Sequence, residues 1–333
     1  MTERSEIPPL IDVQDLVADE FTDHPSDLSP VFPAPPAAAV AAIHQACLDT
    51  GFFVITGHGL DSEMARLFDQ ARDFFDQPQA AKEEIPRINR YGFIPHRRWA
   101  IDPVRQGSNT EYLDLGLGDE VPLPRLDGFK AAVRTYQRRA LTVGARILVA
   151  IAAGLGAEPD FFATRMTNPQ CRLRLLHYPA AEPGLDGTLP VPTESHTDYG
   201  ALTLLATDGV AGLEVKPIGG EWTPVVAPAG SLVVNLGDML ARWSNDVYRS
   251  TPHRVVGPVG ADRISIPFFV NPDPATVVDC IPACVTAERP CRYGPVTAGE
   301  FLASRIDSPA EPYIDRHDGP VRRLGPAQEV GGR

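Results

Sequence analysis

Hydrophobic residues in "DSEMARLFDQARDFFDQ" recur every three or four positions, at Met64, Leu67, Phe68, Ala71, Phe74 and Phe75. That period predicts an amphipathic helix, with Asp61 or Ser62 as its N-cap. "PAAAVAAIHQACLDT", from Pro36 to about Thr50, predicts a second helix with Pro at its start and Gly51 after its end. A long helical pattern runs from Phe129 to Gly154. Between these lies "GFFVITGHG", a β-branched and aromatic run bounded by glycines, which predicts a strand. "IPPLIDVQDL" holds one short strand, and "TAGEFLASRI" predicts a helix near the end.

After about Pro169 the pattern changes from period 3.6 to short runs. "CRLRLLHYP", "ALTLLAT", "GLEVKPI", "WTPVVAP", "SLVVNLG" and "RISIPFFVNP" are strand-like and separated by Gly, Pro, Asp and Asn. Many short strands at this spacing predict a sandwich or jelly roll. The chain then divides into a mixed helical region (1–165), a β core (166–300) and a C-terminal helix and tail (301–333), packed as one unit.

Composition narrows the function. The 333 residues are 43% hydrophobic and 22% charged, an ordinary globular balance. The net charge of -13 argues against a nucleic-acid or anionic-membrane binder, since both need a basic face. The start "MTERSEIPPLIDV" has no apolar segment of the signal-peptide kind, and the apolar run at Ile147 is too short for a bilayer. A cytoplasmic protein, monomeric or weakly homo-oligomeric, is expected. The five cysteines do not form a disulfide framework and are expected to be reduced. Cys280, Cys284 and Cys291 give C-x3-C-x6-C, but no fourth zinc ligand lies nearby in sequence.

The candidate chemistry begins at "HTDYGALTLLATDGVAGLEV". His196 and Asp198 are two apart, so in a strand they share one face and can meet one metal. A third ligand, His253 in "YRSTPHRVV", follows after 54 intervening residues. Two imidazoles and one carboxylate on one face of an octahedron leave three positions open, as in non-haem Fe(II) oxygenases. Arg263 and Ser265 in "DRISIPFF" also share a face, and a guanidinium beside a hydroxyl suits a carboxylate. Their strand begins ten residues after His253, so it is expected to lie next to the metal strand.

These stretches, with "NLGDMLARWSNDVYRSTPHRVV", resemble the isopenicillin N synthase-like branch of the Fe(II)/2-oxoglutarate-dependent dioxygenases, over roughly Ile7 to Ser304. The resemblance implies an α+β fold with a double-stranded β-helix core and an iron site at its open end. It implies iron ligation by His196, Asp198 and His253. It implies 2-oxoglutarate anchoring by Arg263, Ser265 and Tyr178, with Asn235 and Leu213 lining the same pocket. The activity it implies is oxidation of an unactivated C–H bond of a small molecule by O2, with 2-oxoglutarate converted to succinate and CO2. Hydroxylation is the default outcome, with desaturation or cyclisation as variants. An oxidase of the same fold that needs no 2-oxoglutarate, and a non-catalytic binding module, are the rival readings. Tyr91, Arg97, Arg98 and Tyr112, with Trp99, are candidate substrate contacts in the aromatic and basic segment before the long helix. The helix near Phe301 is expected to close over the site, and Gln328 lies in the tail. The departures are "PTES" before His196, where a small glycine- or alanine-containing turn is commoner, and His177 before Tyr178.

Overall fold

The computed structural model describes residues 8–17, 34–95, 110–118, 121–181, 189, 191–258 and 260–307. The expectations for Arg97, Arg98, Trp99 and Gln328 lie outside those residues. The first half contains β1 (Leu10–Asp12), α1 (Gln14–Val17), α2 (Ala37–Asp49), β2 (Phe52–Thr56), α3 (Asp61–Phe75), α4 (Gln79–Lys82), β3 (Gly92–Ile94), β4 (Glu111–Gly116) and α5 (Phe129–Gly154). The second half contains β5 (Arg172–Tyr178), β6 (Thr193–His196), β7 (Leu202–Thr207), β8 (Leu213–Val215), β9 (Thr223–Pro224), β10 (Leu232–Leu236), α6 (Asp238–Trp243), β11 (His253–Val255), β12 (Arg263–Val270), β13 (Val277–Val278), β14 (Val296–Thr297) and α7 (Ala298–Asp307).

Helices α2, α3 and α5 form where the apolar period places them. The cap of α3 differs from expectation. The capping position is Leu60, with no side-chain cap bond, and Asp61 and Glu63 stand in the first turn. There they favour the positive end of the helix dipole without bonding the backbone. The Leu60 N–H donates instead to His58 Nδ1 at 3.0 Å.

Eight strands form one sheet in the order β1-β2-β10-β7-β12-β5-β4-β3, and four form a second in the order β6-β11-β8-β9. Sequence alternation assigns the two faces of the large sheet. Phe53, Ile55, Leu113, Leu173, Leu175, Leu204, Val234, Ile266 and Phe268 face α2, α3 and α5 in the main core. Phe52, Val54 and Val233, one residue out of step, join Leu213, Val215 and Val225 of the small sheet in a second apolar cluster between the sheets. The inner face of the large sheet therefore looks at the small sheet, and the helices cover its outer face.

One ionic group is set into the helix-covered face. Lys82 Nζ donates to Glu111 Oε1 and Oε2 at 2.8 and 2.7 Å and to the Phe75 carbonyl at 3.1 Å. Both side chains of the pair are buried. His177 Nδ1 is 2.9 Å from Glu111 Oε1, and its Nε2 is 3.1 Å from Asp262 Oδ2. Its ring stacks on Phe75. With a carboxylate at each nitrogen, the imidazolium form satisfies both bonds. Burial alone would lower the His177 pKa, but the bonds to Glu111 and Asp262 outweigh it and raise it above the usual value of 6.5. For Glu111 burial works upward, and His177 and Lys82 hold it below 4.5.

The cysteines depart from expectation. Cys280 and Cys291 form a disulfide across 11 residues, so neither is reduced. Proximity in the folded loop, which spacing alone does not reveal, brings them together. The C-x3-C-x6-C set does not converge, because Cys284 is a free thiol buried in the main core. Cys47 and Cys171 are free and buried as expected. Among the described residues no helix is long and apolar enough to cross a membrane.

Two outcomes follow from the ionic group. Lys82→Met leaves a buried carboxylate without its ammonium partner, and unfolding in urea is expected to show a loss of about 3 kcal/mol. The raised His177 pKa stabilises fully below pH 6.5 and is lost as pH rises through the folded value. The lowered Glu111 pKa stabilises above pH 4.5 and is lost as pH falls through the folded value. The contribution therefore peaks between pH 4.5 and 6.5. Denaturation midpoints of wild type and His177→Gln are expected to lie furthest apart at pH 6 and closer together at pH 9. An equal gap at both values would contradict this.

Candidate active site

His196 ends β6, and Asp198 lies in the turn beyond it, so the two do not share a strand face as expected. The turn delivers the carboxylate instead. The Asp238 N–H, opening α6, donates to the Asp198 carbonyl at 2.7 Å, and the Met239 N–H donates to the Gly200 carbonyl at 3.1 Å. These segments run so close that a Cβ at Gly237 would sit 2.2 Å from the Gly200 oxygen and 2.9 Å from the Asp198 oxygen. Asn271 fixes the other side of the turn, with its Oδ1 accepting the Ala201 N–H at 3.2 Å.

β11 pairs with β6 in a register that sets His253 opposite His196. The two imidazole centroids are 4.3 Å apart. His253 Nε2 is 3.8 Å from Asp198 Oδ1. One donor atom from each of His196, Asp198 and His253 lies within 4.8 Å of the others, close enough for one ion to reach all three.

The surrounding bonds prepare these atoms as ligands. The His196 Nδ1–H donates to the Glu194 carbonyl at 2.9 Å, and the His253 Nδ1–H donates to the Thr251 carbonyl at 3.2 Å. A carbonyl only accepts, so each ring carries its proton on Nδ1 and keeps the Nε2 lone pair free. Asp198 Oδ2 is taken by Thr203 Oγ1–H at 2.6 Å and Asn235 Nδ2–H at 2.7 Å, which leaves Oδ1 toward His253. Burial opposes the Asp198 charge, but His253, His196, Asn235 and Thr203 together hold its pKa below the usual carboxylate value. The His253 pKa is pushed down to about 4, by burial first and then by His196, so the ring is neutral at pH 7. Two imidazoles and an ionised carboxylate fit a divalent transition metal with oxygen-binding chemistry.

β12 does not adjoin the metal strand as expected. It pairs with β5 and β7 in the large sheet, while β11 belongs to the small one. The two meet across the interior at Gly212. A Cβ there would lie 3.3 Å from Val255 Cγ1 and 3.5 Å from Arg263 Cδ. Arg263 is 1% exposed. Its Nε–H donates to the Val210 carbonyl at 3.1 Å, and its buried Nη1 has no hydrogen-bond partner among the described residues. A buried cation with a free donor fits an anionic group supplied from outside the chain. Arg263 pairs in register with Tyr178, whose ring centroid is 5.0 Å from the guanidinium carbon. Ser265 is buried on the same inner face. Leu213 is in the apolar cluster between the sheets. Asn235, expected in the 2-oxoglutarate pocket, serves Asp198 directly.

Tyr112 and Tyr91 gather at a second inner group, containing residues that the sequence alone does not single out. Arg174 stands over the Tyr112 ring at 4.1 Å and binds Asp114 through Nε and Nη2 at 2.6 and 2.7 Å. Arg172 lies beside it, with Tyr91 among its electrostatic neighbours. The available signal is "CRLRLLHYP", which puts two arginines two apart in a strand of otherwise apolar character. Phe301 of α7 packs in the main core. Arg305 Nη2 is 2.9 Å from Asp238 Oδ2 and its guanidinium carbon 6.0 Å from the Tyr199 ring centroid, which fastens α7 beside the Asp198 turn.

Known proteins resemble the chain over most of its length. Residues 169–272 match the 2OG-Fe(II) oxygenase superfamily, and residues 9–121 match the family described as non-haem dioxygenase in morphine synthesis N-terminal. A 2-oxoglutarate-Fe(II) type oxidoreductase of Emericella nidulans is 30% identical over 83% of this chain and 87% of its own. Proline hydroxylase buaE of Petromyces alliaceus is 32% identical over 81% and 92%. The crystal structure of a full-length Neurospora crassa protein in complex with alpha-KG (2-oxoglutarate) and thymine superposes with a TM-score of 0.78 and 28% identity, over 92% of this chain and 98% of that one. The chain belongs to the 2OG-Fe(II) oxygenase superfamily. It is an Fe(II)- and 2-oxoglutarate-dependent dioxygenase, with O2 as the oxidant.

The close approach at Gly237 gives a direct test. Gly237→Ala is expected to destabilise the protein by about 1–3 kcal/mol, because backbone on both sides of the new methyl must move. Urea denaturation measures it, and a midpoint equal to wild type would show that the Asp198 turn can shift freely.

Proposed function

We propose that His196, Asp198 and His253 hold the Fe(II), and that Arg263, with Ser265 and Tyr178, holds the far carboxylate of 2-oxoglutarate. The convergence of the three donor atoms, from buried Asp198 and His253 and half-buried His196, carries this reading. The partnerless Nη1 of Arg263 supports the second half. We read the two facing sheets as a double-stranded β-helix built from residues 166–300, with the preceding segment packed on it.

When bound, the Fe(II) activates O2 and couples decarboxylation of 2-oxoglutarate to succinate and CO2 with oxidation of a substrate C–H bond. The chain does the rest. Thr203 and Asn235 hold Asp198 Oδ2, so Oδ1 is the oxygen offered to the metal. The carbonyls of Glu194 and Thr251 hold each imidazole with Nε2 inward. Arg263 fixes the far end of the co-substrate, so its keto-acid end meets the metal in one orientation. Phe52, edge-on to His253 at 5.5 Å between centroids, helps keep water from that side. The substrate is a small molecule and the outcome a hydroxylation. Similarity to the proline hydroxylase of Petromyces alliaceus and to the Neurospora crassa structure with bound thymine supports both.

Anaerobic titration with Fe(II) and then 2-oxoglutarate, with succinate release measured in air, tests this reading. His196→Ala and His253→Ala are each expected to lose Fe(II) binding. Arg263→Ala is expected to weaken 2-oxoglutarate binding by about 2–5 kcal/mol, the usual loss when one side of a buried charge pair is removed. Wild-type Fe(II) affinity in His253→Ala would refute the assignment.

A further inference from the structure

Among the described residues, two guanidiniums and one carboxylate share the inner face of β5 and β4, which leaves one positive charge in excess. Arg174 takes Asp114 with a two-point bond. Arg172 Nη1 is left 3.7 Å from the same carboxylate, beyond hydrogen-bond range. Among the described residues its guanidinium makes no hydrogen bond, and it rests over the Phe269 ring at 4.9 Å. Its side chain is 24% exposed, so it is neither fully solvated nor sealed away. Burial pushes its pKa below the usual arginine value, Asp114 opposes this, and Arg174 adds to it. The group needs a second anion.

Strand register places this charge relative to the metal cluster. Thr203 pairs with Phe269, and Phe269 pairs with Arg172, so the three form one row across β7, β12 and β5. Paired residues point to the same face. Thr203 is the residue that donates to Asp198. Neighbouring strands are ~4.8 Å apart, so the Arg172 backbone lies roughly 10 Å across the sheet from Thr203. A small molecule beside the metal spans that gap. Arg172 is not a second anchor for 2-oxoglutarate. Arg263 stands six residues from Phe269 on the same strand, about 20 Å away along it.

We propose that Arg172, braced by Arg174 and Phe269, determines substrate specificity, and that the enzyme acts on a small molecule bearing a carboxylate, which Arg172 binds. This rests on the metal-site reading given above. Arg174 orders the site by holding Asp114, which keeps that carboxylate from closing onto Arg172. Tyr112, beneath Arg174, supports the arrangement from β4.

The test uses the full chain loaded with Co(II) and excess 2-oxoglutarate, followed through the visible Co(II) spectrum. The probes are acetate, propionate, benzoate and cyclohexanecarboxylate, each paired with its primary amide. At least one acid is expected to bind about tenfold or more tighter than its amide, the scale of one hydrogen bond to a charged group. Arg172→Gln is expected to remove that preference while amide binding persists, and Arg172→Lys to restore part of it. No acid exceeding its amide, or a preference unchanged in Arg172→Gln, overturns the proposal. Failure of the wild type to bind Co(II) and 2-oxoglutarate at all would instead overturn the metal-site reading, and the two failures are distinguishable.

Discussion

Asp198 is a carboxylate with only 8% of its surface exposed; burial opposes its charge, and His253, His196 and the two donors Asn235 and Thr203 hold its pKa below the usual value. Removing a charged carboxylate from water costs several kcal/mol unless such partners replace the solvent. The two donors come from β7 and β10, which pair with each other so that Thr203 faces Asn235. The carboxylate itself comes from a turn threaded between the β6 end and the start of α6. Oδ1 of Asp198, which faces His253, is thus positioned only if two strands, one turn and one short helix assemble together. A protein that lost this assembly would hold an unpaired buried charge as well as an incomplete site.

The large sheet does more than cover the core. Its outer residues meet the helices, and its inner residues carry nearly all the chemistry on the strand side. Asn235, Thr203, Ser265, Arg263, Tyr178, Arg172, Arg174, Asp114 and Tyr112 all lie on inner positions by register. His177 and Glu111 are outer residues of the same strands, and there the chain supplies every partner itself, with Lys82 and Asp262 completing the set. The outer ionic group is closed and structural, whereas the inner one leaves a guanidinium for a ligand.

Much of this is legible in the sequence. The helices α2, α3 and α5 follow from apolar period, and the strands β5, β7, β10 and β12 from short runs between turn residues. Residue type and order single out His196, Asp198 and His253, which the fold brings together. Its geometry is less accessible, because an H-x-D pair reads as one strand face, and only the backbone bonds to α6 reveal that Asp198 sits in a turn. The placement of β12 is likewise hidden, since nearness along the chain from His253 to Arg263 does not decide which sheet a strand joins. The Cys280–Cys291 pairing depends on a loop path that spacing does not encode. Arg172 and Arg174 are visible as letters, but their meaning requires the register that brings Asp114 and Phe269 beside them.

β5 and β12 each carry chemistry at both ends. Tyr178 and Arg263 stand at one end, and Arg172 and Phe269 at the other. In the proposed reading the pair works as a single beam, with one end for 2-oxoglutarate and the other for the substrate. A residue exchanged at the far end leaves the near one untouched, since the two stand about 20 Å apart along the strand. A slip of one residue in either strand would disturb both ends, since it would turn that strand's residue at each end toward the helices. Freedom to exchange a far-end residue and rigidity of register are therefore two aspects of the same pairing.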